Sequence, residues 1–257
     1  MKSKKIDLLL LDIFSYSCMN CLRSLKLIKK IDRKYKKYGL KTLIIHPPEW
    51  EFEKDSKNIK YASKKYKINI PIKADKNKNA IRKLRINFWP AQILIKNGKV
   101  IYEHIGEGSY KNLEKKIILS LKLKPKEIFS KEPKYSIFPT VYCGKRKNGK
   151  IMDLRNKLKF GTIYKNGNWL QKDEFLQSVG NDNSLTIITK GRIISFVARS
   201  LDRKCANIII RLDNKYLKTL AVGKPQLYTL IKLKDAKKRE LNLIAKSELA
   251  VYSFSFQ

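Results

Sequence analysis

The sequence predicts an α/β domain with a central mixed sheet flanked by helices, followed by an all-β, jelly-roll-like sandwich. Three observations support this. Apolar strand-like runs alternate with lysine-studded segments of helical period up to Leu123. Residues 124–141 then hold Pro125, Pro133 and Pro139 among charged side chains with no sustained period, which reads as a linker. Beyond it, short β-rich runs separated by turn residues continue to Phe256, with no obvious helix. The expected organisation is an α/β domain over 1–123, a linker over 124–141 and a β-sandwich over 142–257.

The elements follow in order. Residues 6–14 are apolar on both alternations, as in a strand covered on both faces. Asp12 inside that run is costly unless partnered or protonated. Residues 18–38 set Leu22, Leu25, Ile28, Ile31 and Tyr35 at helical spacing, and Gly39 ends the helix. Residues 40–46 form a second buried strand. Pro47 and Pro48 make the stretch from His46 to Trp50 a loop. A helix over 55–66, a strand over 68–74 and a short helix over 77–84 come next. Strands over 92–96 and 99–105 form a hairpin about Asn97-Gly98, and 109–123 closes the unit as an amphipathic helix. In the second half, strands are expected at 185–189, 193–199, 206–212, 216–221, 227–233, 241–245 and 249–256.

The chemistry centres on Cys18-Met19-Asn20-Cys21, at the junction of the first strand and first helix. Two cysteines three apart meet when the first turn of a helix folds between them. The first sulfur then faces the unpaired N–H groups and positive end of the helix, which favour thiolate. This pattern predicts a redox dithiol, with Cys18 attacking and Cys21 resolving. A degenerate structural disulfide or half a zinc site shares the spacing. No metal is expected, because His46, His104, Cys143 and Cys205 have no ligand spacing. Asp12, six residues before Cys18, is expected beneath the dithiol as a general acid/base that relays a proton to or from Cys21 through water.

Composition narrows the function classes. The net charge of +36 suggests anionic partners, but lysines outnumber arginines 47 to 11, and the excess is spread as +20 over 1–124 and +16 over 125–257. Bidentate phosphate and base recognition favours arginine and a localised stripe, so no specific nucleic-acid binding is expected. Four cysteines are too few for a disulfide scaffold. No signal peptide is visible, and the 6–14 run is far short of the roughly 20 apolar residues of a membrane span. That predicts a cytoplasmic chain with no transmembrane segment of its own.

The cysteine motif, the aspartate six residues before it, Phe88-Trp89-Pro90-Ala91 ahead of the hairpin and the β-α-β-α-β-α-β-β-α order together resemble the thioredoxin fold. More narrowly, residues 14–23, His46-Pro47-Pro48-Glu49-Trp50-Glu51-Phe52-Glu53-Lys54 and Phe88-Trp89-Pro90-Ala91 resemble the redoxin or TlpA-like thiol-disulfide branch, in particular the soluble part of DipZ-type membrane thiol-disulfide transporters. Tyr142-Cys143-Gly144-Lys145-Arg146, Trp169, Leu212-Asp213, Leu227-Tyr228 and 251–256 extend that resemblance into the second domain. The family's membrane domain and the short β/α extension before its first strand have no counterpart here.

The resemblance implies a thiol-disulfide oxidoreductase, with reductant the expected direction. It implies protein disulfide substrates and an electron source that is a membrane carrier or a cytosolic reductase. No cofactor beyond a redox-active Cys18–Cys21 disulfide is implied. It makes Pro90 a cis-proline whose neighbour Trp89 offers its main chain to substrate. Tyr16, Met19 and Asn20 join Trp89 and Pro90 as expected substrate contacts, and Glu49 is an accessory near the site. It also implies an extracytoplasmic, membrane-associated location, against the cytoplasmic reading above. Ser15 matches the hydroxyl of a peroxidase motif, but Leu11 stands where that motif needs proline, which disfavours a peroxidase. Cys143 and Cys205 are expected to be buried small hydrophobes. Trp169, Tyr142, Tyr164 and Tyr228 are expected in the core, with a sugar-stacking, carbohydrate-module-like face the competing reading. The alternative function is a non-catalytic redoxin-fold adaptor that binds an anionic polymer, glycan or membrane surface.

Overall fold

A computed structural model describes residues 7–124, 138–155, 157–202 and 204–257. The chain divides into two compact units, Met1–Lys134 and Tyr135–Gln257. Most of the expected linker, 125–137, lies outside the described residues.

The first unit runs β1 (Leu8–Ile13), α1 (Met19–Tyr35), β2 (Leu40–His46), α2 (Ser56–Lys65), β3 (Ile72–Ala74), α3 (Asn79–Lys83), β4 (Ala91–Lys96), β5 (Lys99–Ile105) and α4 (Tyr110–Ser120). The sheet order is β3-β2-β1-β4-β5, with β1, β2 and β3 parallel and β4 and β5 antiparallel. This is a thioredoxin-like fold with β1 at its centre. Leu11 and Ile13 on one face of β1 pack with Ile45, Ile81, Ile86, Ala91 and Ile93. Strand alternation turns Leu8, Leu10 and Asp12 to the other face.

Helix α1 buries Cys21, Leu25, Ile28, Ile31 and Tyr35 on one stripe. A 3₁₀ turn over Lys36–Tyr38 follows, and Gly39 ends it at φ +103°, a conformation that suits a residue without Cβ. Tyr35 Oη donates to the buried Glu114 of α4 at 2.5 Å, which ties α1 to α4. Asn97 and Gly98 both have positive φ, as a two-residue hairpin turn requires.

Strand β3 is shorter than the expected 68–74. Ile68 N–H returns to Ser63 O to close α2, and Pro71 has no N–H to give the ladder. A 3₁₀ turn over Glu51–Lys54, between the expected loop from His46 to Trp50 and α2, turns Phe52 and Glu53 inward.

The second unit is all-β among its described residues apart from one 3₁₀ turn at Lys145–Lys147. Its strands are β6 (Val141–Tyr142), β7 (Ile151–Asp153), β8 (Ile163–Asn166), β9 (Trp169–Gln171), β10 (Leu176–Ser178), β11 (Asn183–Lys190), β12 (Ile193–Ser200), β13 (Ala206–Leu212), β14 (Lys215–Val222), β15 (Gln226–Lys232), β16 (Lys238–Ala245) and β17 (Leu249–Phe256). One sheet is ordered β15-β12-β17-β10-β9, with β6 also on β17; the other is β14-β13-β16-β11-β8-β7. One apolar cluster takes Leu176, Phe196, Val251 and Phe254 from the first sheet and Ile187, Ile208, Ile210 and Leu241 from the second. Strands β6 to β10 were not legible as strands, because runs of two to four residues carry no measurable alternation. No helix among the described residues is long and apolar enough to cross a membrane.

Candidate functional site

The site begins where β1 ends. Phe14 N–H still bonds to Ile45 O, and then Ser15-Tyr16-Ser17 turns the chain so that Cys18 N–H reaches Ser15 O at 3.3 Å. Cys18 is the N-cap of α1, with φ −81° and ψ 119°, and its Sγ accepts the Cys21 N–H at 3.3 Å. The two sulfurs differ in access: Cys18 is half-buried and Cys21 fully buried, and both are free thiols. Burial pushes the Cys21 thiol well above its ordinary range. Its interaction with Cys18 adds to the rise, the Ser15 backbone N–H opposes it, and the Glu49 charge reinforces it.

Asp12 is wholly buried. Burial raises its carboxyl to about 7, opposed by a hydrogen bond from Gln92 Nε2 to Oδ1 at 3.1 Å. The same Nε2 reaches Ser24 Oγ on α1, one turn after Cys21, at 3.2 Å. Asp12 Oδ2 has no hydrogen-bond partner among the described residues. The carboxyl is therefore joined to Gln92, not directly to either sulfur. Gln92 was not among the expected site residues.

Glu53 was also unexpected. Its buried carboxylate accepts Ser15 Oγ at 2.8 Å, Ser17 Oγ at 2.7 Å, Ser17 N–H at 3.2 Å and Glu49 N–H at 2.6 Å. Burial and the nearby Glu49 charge raise it to about 7 against those donors. Glu49 in turn accepts Trp89 Nε1 at 3.2 Å. His46, at the end of β2, accepts Tyr16 N–H through Nε2 at 3.3 Å and stacks on the Tyr16 ring with centroids 5.4 Å apart. Burial lowers its pKa to about 4, so it is neutral at pH 7.

The structure thus gathers Cys18, Cys21, Glu49 and Trp89 around the turn before α1, with Asp12 in the strand beneath. The Trp89–Pro90 peptide is cis; Trp89 is half-buried and Pro90 buried. Asn20 is exposed and its Oδ1 accepts Arg23. Two expected substrate contacts are placed differently. Tyr16 is 1% exposed and Met19 6% exposed, because the turn folds Tyr16 onto His46 and Met19 enters the buried stripe of α1. Ser15 Oγ is committed to Glu53, not presented to a peroxide.

In the second unit Cys143 is buried and its thiol pushed up by burial, whereas Cys205 is exposed, contrary to expectation, because it sits in the turn before β13. Trp169 and Tyr164 are core residues, and half-buried Tyr228 packs on Phe196 while bonding Gly223 N–H and Lys224 O. These aromatics do not form a stacking face. Among the described residues, no group of three or more His, Cys, Asp or Glu side chains is placed to hold a metal ion.

Residues 144–256 match the family model of the thioredoxin-like C-terminal domain. Protein DipZ of Mycobacterium tuberculosis is 34% identical over 111 residues, which is 43% of this chain and 16% of DipZ. SUPPRESSOR OF QUENCHING 1 of Arabidopsis thaliana is 32% identical over 118 residues, 46% of this chain and 11% of that protein. The matched stretch is therefore less than a fifth of either relative's length. Among solved structures, a thiol:disulfide interchange protein DsbE described as putative, from Chlorobium tepidum, superposes at a TM-score of 0.41 with 20% identity, covering 45% of this chain and 80% of its own. The chain is therefore similar over part of its length to DipZ and SUPPRESSOR OF QUENCHING 1, and its residues 144–256 match the thioredoxin-like C-terminal domain.

Proposed function

We propose that the chain is a thiol-disulfide oxidoreductase that reduces protein disulfides through Cys18 and Cys21, with the β-unit as a docking module. One observation carries the reading: at the cap of α1, half-buried Cys18 receives the Cys21 N–H on its sulfur while Cys21 lies buried behind it. That arrangement suits an attacking thiol in front of a resolving one. Cys18 thiolate attacks one sulfur of the substrate disulfide, the S–S bond breaks, and the leaving thiolate takes a proton. Cys21 then gives its proton to the Asp12 carboxylate through water and attacks Cys18 Sγ. The second substrate sulfur leaves Cys18 as a thiolate and takes that proton back from Asp12 through water, so the substrate departs with two thiols and the pair is left as a disulfide.

Glu49 and the main chain at Trp89 border the entry to this pair, with Asn20 on the exposed side. The cycle uses no bound cofactor; two electrons return from a partner dithiol, on a membrane carrier or a cytosolic reductase. The domain plan is a redox domain over 1–123, a linker over 124–141 and a jelly-roll-like sandwich over 142–257.

Insulin-disulfide reduction with dithiothreitol as donor tests the activity. Turnover that Cys18→Ser abolishes, with Cys21→Ser accumulating a mixed disulfide, supports it. Insulin reduced no faster than by dithiothreitol alone would leave the adaptor reading in its place.

A further inference from the structure

We propose that Arg23 is a positioning residue for substrate docking: forked onto Glu107, it turns the Asn20 amide so that its two N–H groups meet a main-chain carbonyl of the substrate polypeptide. The inference rests on the thiol-disulfide reading and adds to it two residues outside the cysteine motif, Arg23 and Glu107.

The contacts run without a break from the cysteine turn to the cis-proline loop. Asn20 is the second residue of α1, between Cys18 and Cys21, and its Oδ1 accepts Arg23 Nη2 at 2.6 Å. Arg23 Nε and Nη2 bind the two oxygens of Glu107 at 2.8 Å and 2.5 Å. Glu107 follows Gly106, whose N–H donates to the Pro90 carbonyl at 2.7 Å, and Pro90 completes the cis peptide. The turn that carries Asn20 and the loop that carries Trp89 and Pro90 are thus tied together through one buried fork.

Donor chemistry decides which way the amide faces. A guanidinium has donors only, so the Asn20 atom set against it is the oxygen, and Nδ2 lies on the opposite side. Among the described residues that nitrogen makes no hydrogen bond, which leaves two donors unspent. Asn20 is exposed, whereas the Arg23 and Glu107 side chains are only 13% and 7% exposed. The fork is therefore the fixed end and the amide the end a substrate reaches. Two parallel bonds to a carboxylate hold a planar guanidinium in a way that a single ammonium cannot reproduce. Asn20 is adjacent to Cys21 and two residues from Cys18, so its donors serve the stretch of substrate that flanks the disulfide under attack. Every residue of such a stretch carries a main-chain carbonyl, and a donor already held in place gives up little freedom in meeting it.

The test compares a polypeptide disulfide with one that has no peptide carbonyl. A Cys205→Ser chain, which lacks the exposed thiol outside the motif, is assayed for insulin reduction with dithiothreitol as donor. The same chain, reduced and freed of dithiothreitol, is assayed for attack on Ellman's reagent, in which Cys18 takes one thionitrobenzoate and releases the other. Asn20→Ala is expected to lower kcat/KM for insulin about fivefold relative to the rate with Ellman's reagent, the net worth of one neutral hydrogen bond, with the loss carried by KM. Arg23→Lys keeps the charge and loses the fork, and should lower the same ratio about twofold to fivefold. Glu107→Gln weakens the fork from its other end and serves if Arg23→Lys does not fold. In the double variant Arg23→Lys should add nothing to Asn20→Ala, since it acts through Asn20. A ratio at the parent value in Asn20→Ala or in the fork variant, or losses that add in the double variant, overturns the proposal. Insulin reduced by the Cys205→Ser chain no faster than by dithiothreitol alone would instead overturn the thiol-disulfide reading, and this proposal with it.

Discussion

Gln92 stands directly opposite Asp12 in the antiparallel β1–β4 pair, and its amide donates to the Asp12 carboxyl. Residues opposite one another on a sheet face the same side, with Cβ atoms about 5 Å apart, so register alone puts the amide within reach. The same amide nitrogen continues to Ser24 on α1. The strand beneath the dithiol and the helix that carries it are thereby linked through one side chain.

Gln92→Leu removes the donor that opposes the burial of Asp12. Its carboxyl should rise further from about 7. The pH–rate profile for disulfide reduction is expected to move about one unit towards alkaline pH, the worth of a hydrogen bond to a charged group. An unmoved profile would detach Asp12 from the reaction.

Asp12→Asn should lower the rate and raise the stability. The folded carboxyl titrates near 7 against 3.8 in the unfolded chain, so between those values the folded state binds more protons. Stability present below pH 4 is lost as pH rises towards 7. Removing the carboxylate should therefore stabilise the protein by about 4 kcal/mol at pH 7 and by little at pH 4. Urea unfolding of both proteins at the two pH values checks the sign. Disulfide reduction should fall by about 10²-fold.

Glu107→Ala should destabilise the first unit. Arg23 Nε and Nη2 bind both Glu107 oxygens at 2.8 Å and 2.5 Å, with side chains only 13% and 7% exposed. Removing one partner leaves a nearly buried guanidinium unpaired, a cost of about 2–4 kcal/mol measurable by urea unfolding. Arg23 also holds Asn20 between the cysteines, so the change should loosen the CxxC turn.

Gly144→Ala should destabilise the second unit by about 2 kcal/mol or more, as overpacking against backbone does. A Cβ there would lie 2.3 Å from the Asp173 carbonyl oxygen. Gly161→Ala meets nothing within 4 Å and costs only its left-handed backbone, about 1 kcal/mol. Thermal unfolding of the two variants ranks them.

The parts legible in the sequence were those with a local cause. Strand β2 was read to its ends, because Gly39 stops the preceding helix and the apolar run from Leu43 to Ile45 gives way at His46 to Pro47. The dithiol could be set on a helix cap because the Leu25–Ile28–Ile31 stripe begins just after it. Asp12 was readable as buried from its apolar neighbours alone.

Gln92 was not readable, since a single polar residue in a strand has no meaning until the register puts Asp12 across from it. Glu53 was hidden for a related reason. In Glu51-Phe52-Glu53-Lys54 it reads as one more surface charge, and only the 3₁₀ turn shows that it points inward. Tyr16 and Met19 misled because proximity to cysteine in sequence is not proximity to solvent: one stacks on a residue 30 positions away and the other joins the helix core.

The central claim is tested most directly by the redox equilibrium of the Cys18–Cys21 pair. Purified protein is equilibrated with dithiothreitol or glutathione buffers and its free thiols are counted, with Cys18→Ser as control. The account predicts a two-electron transition that vanishes in Cys18→Ser, with a midpoint nearer thioredoxin's roughly −270 mV than the roughly −120 mV of a strong oxidant. A thiol count that never changes across the buffer range would contradict it.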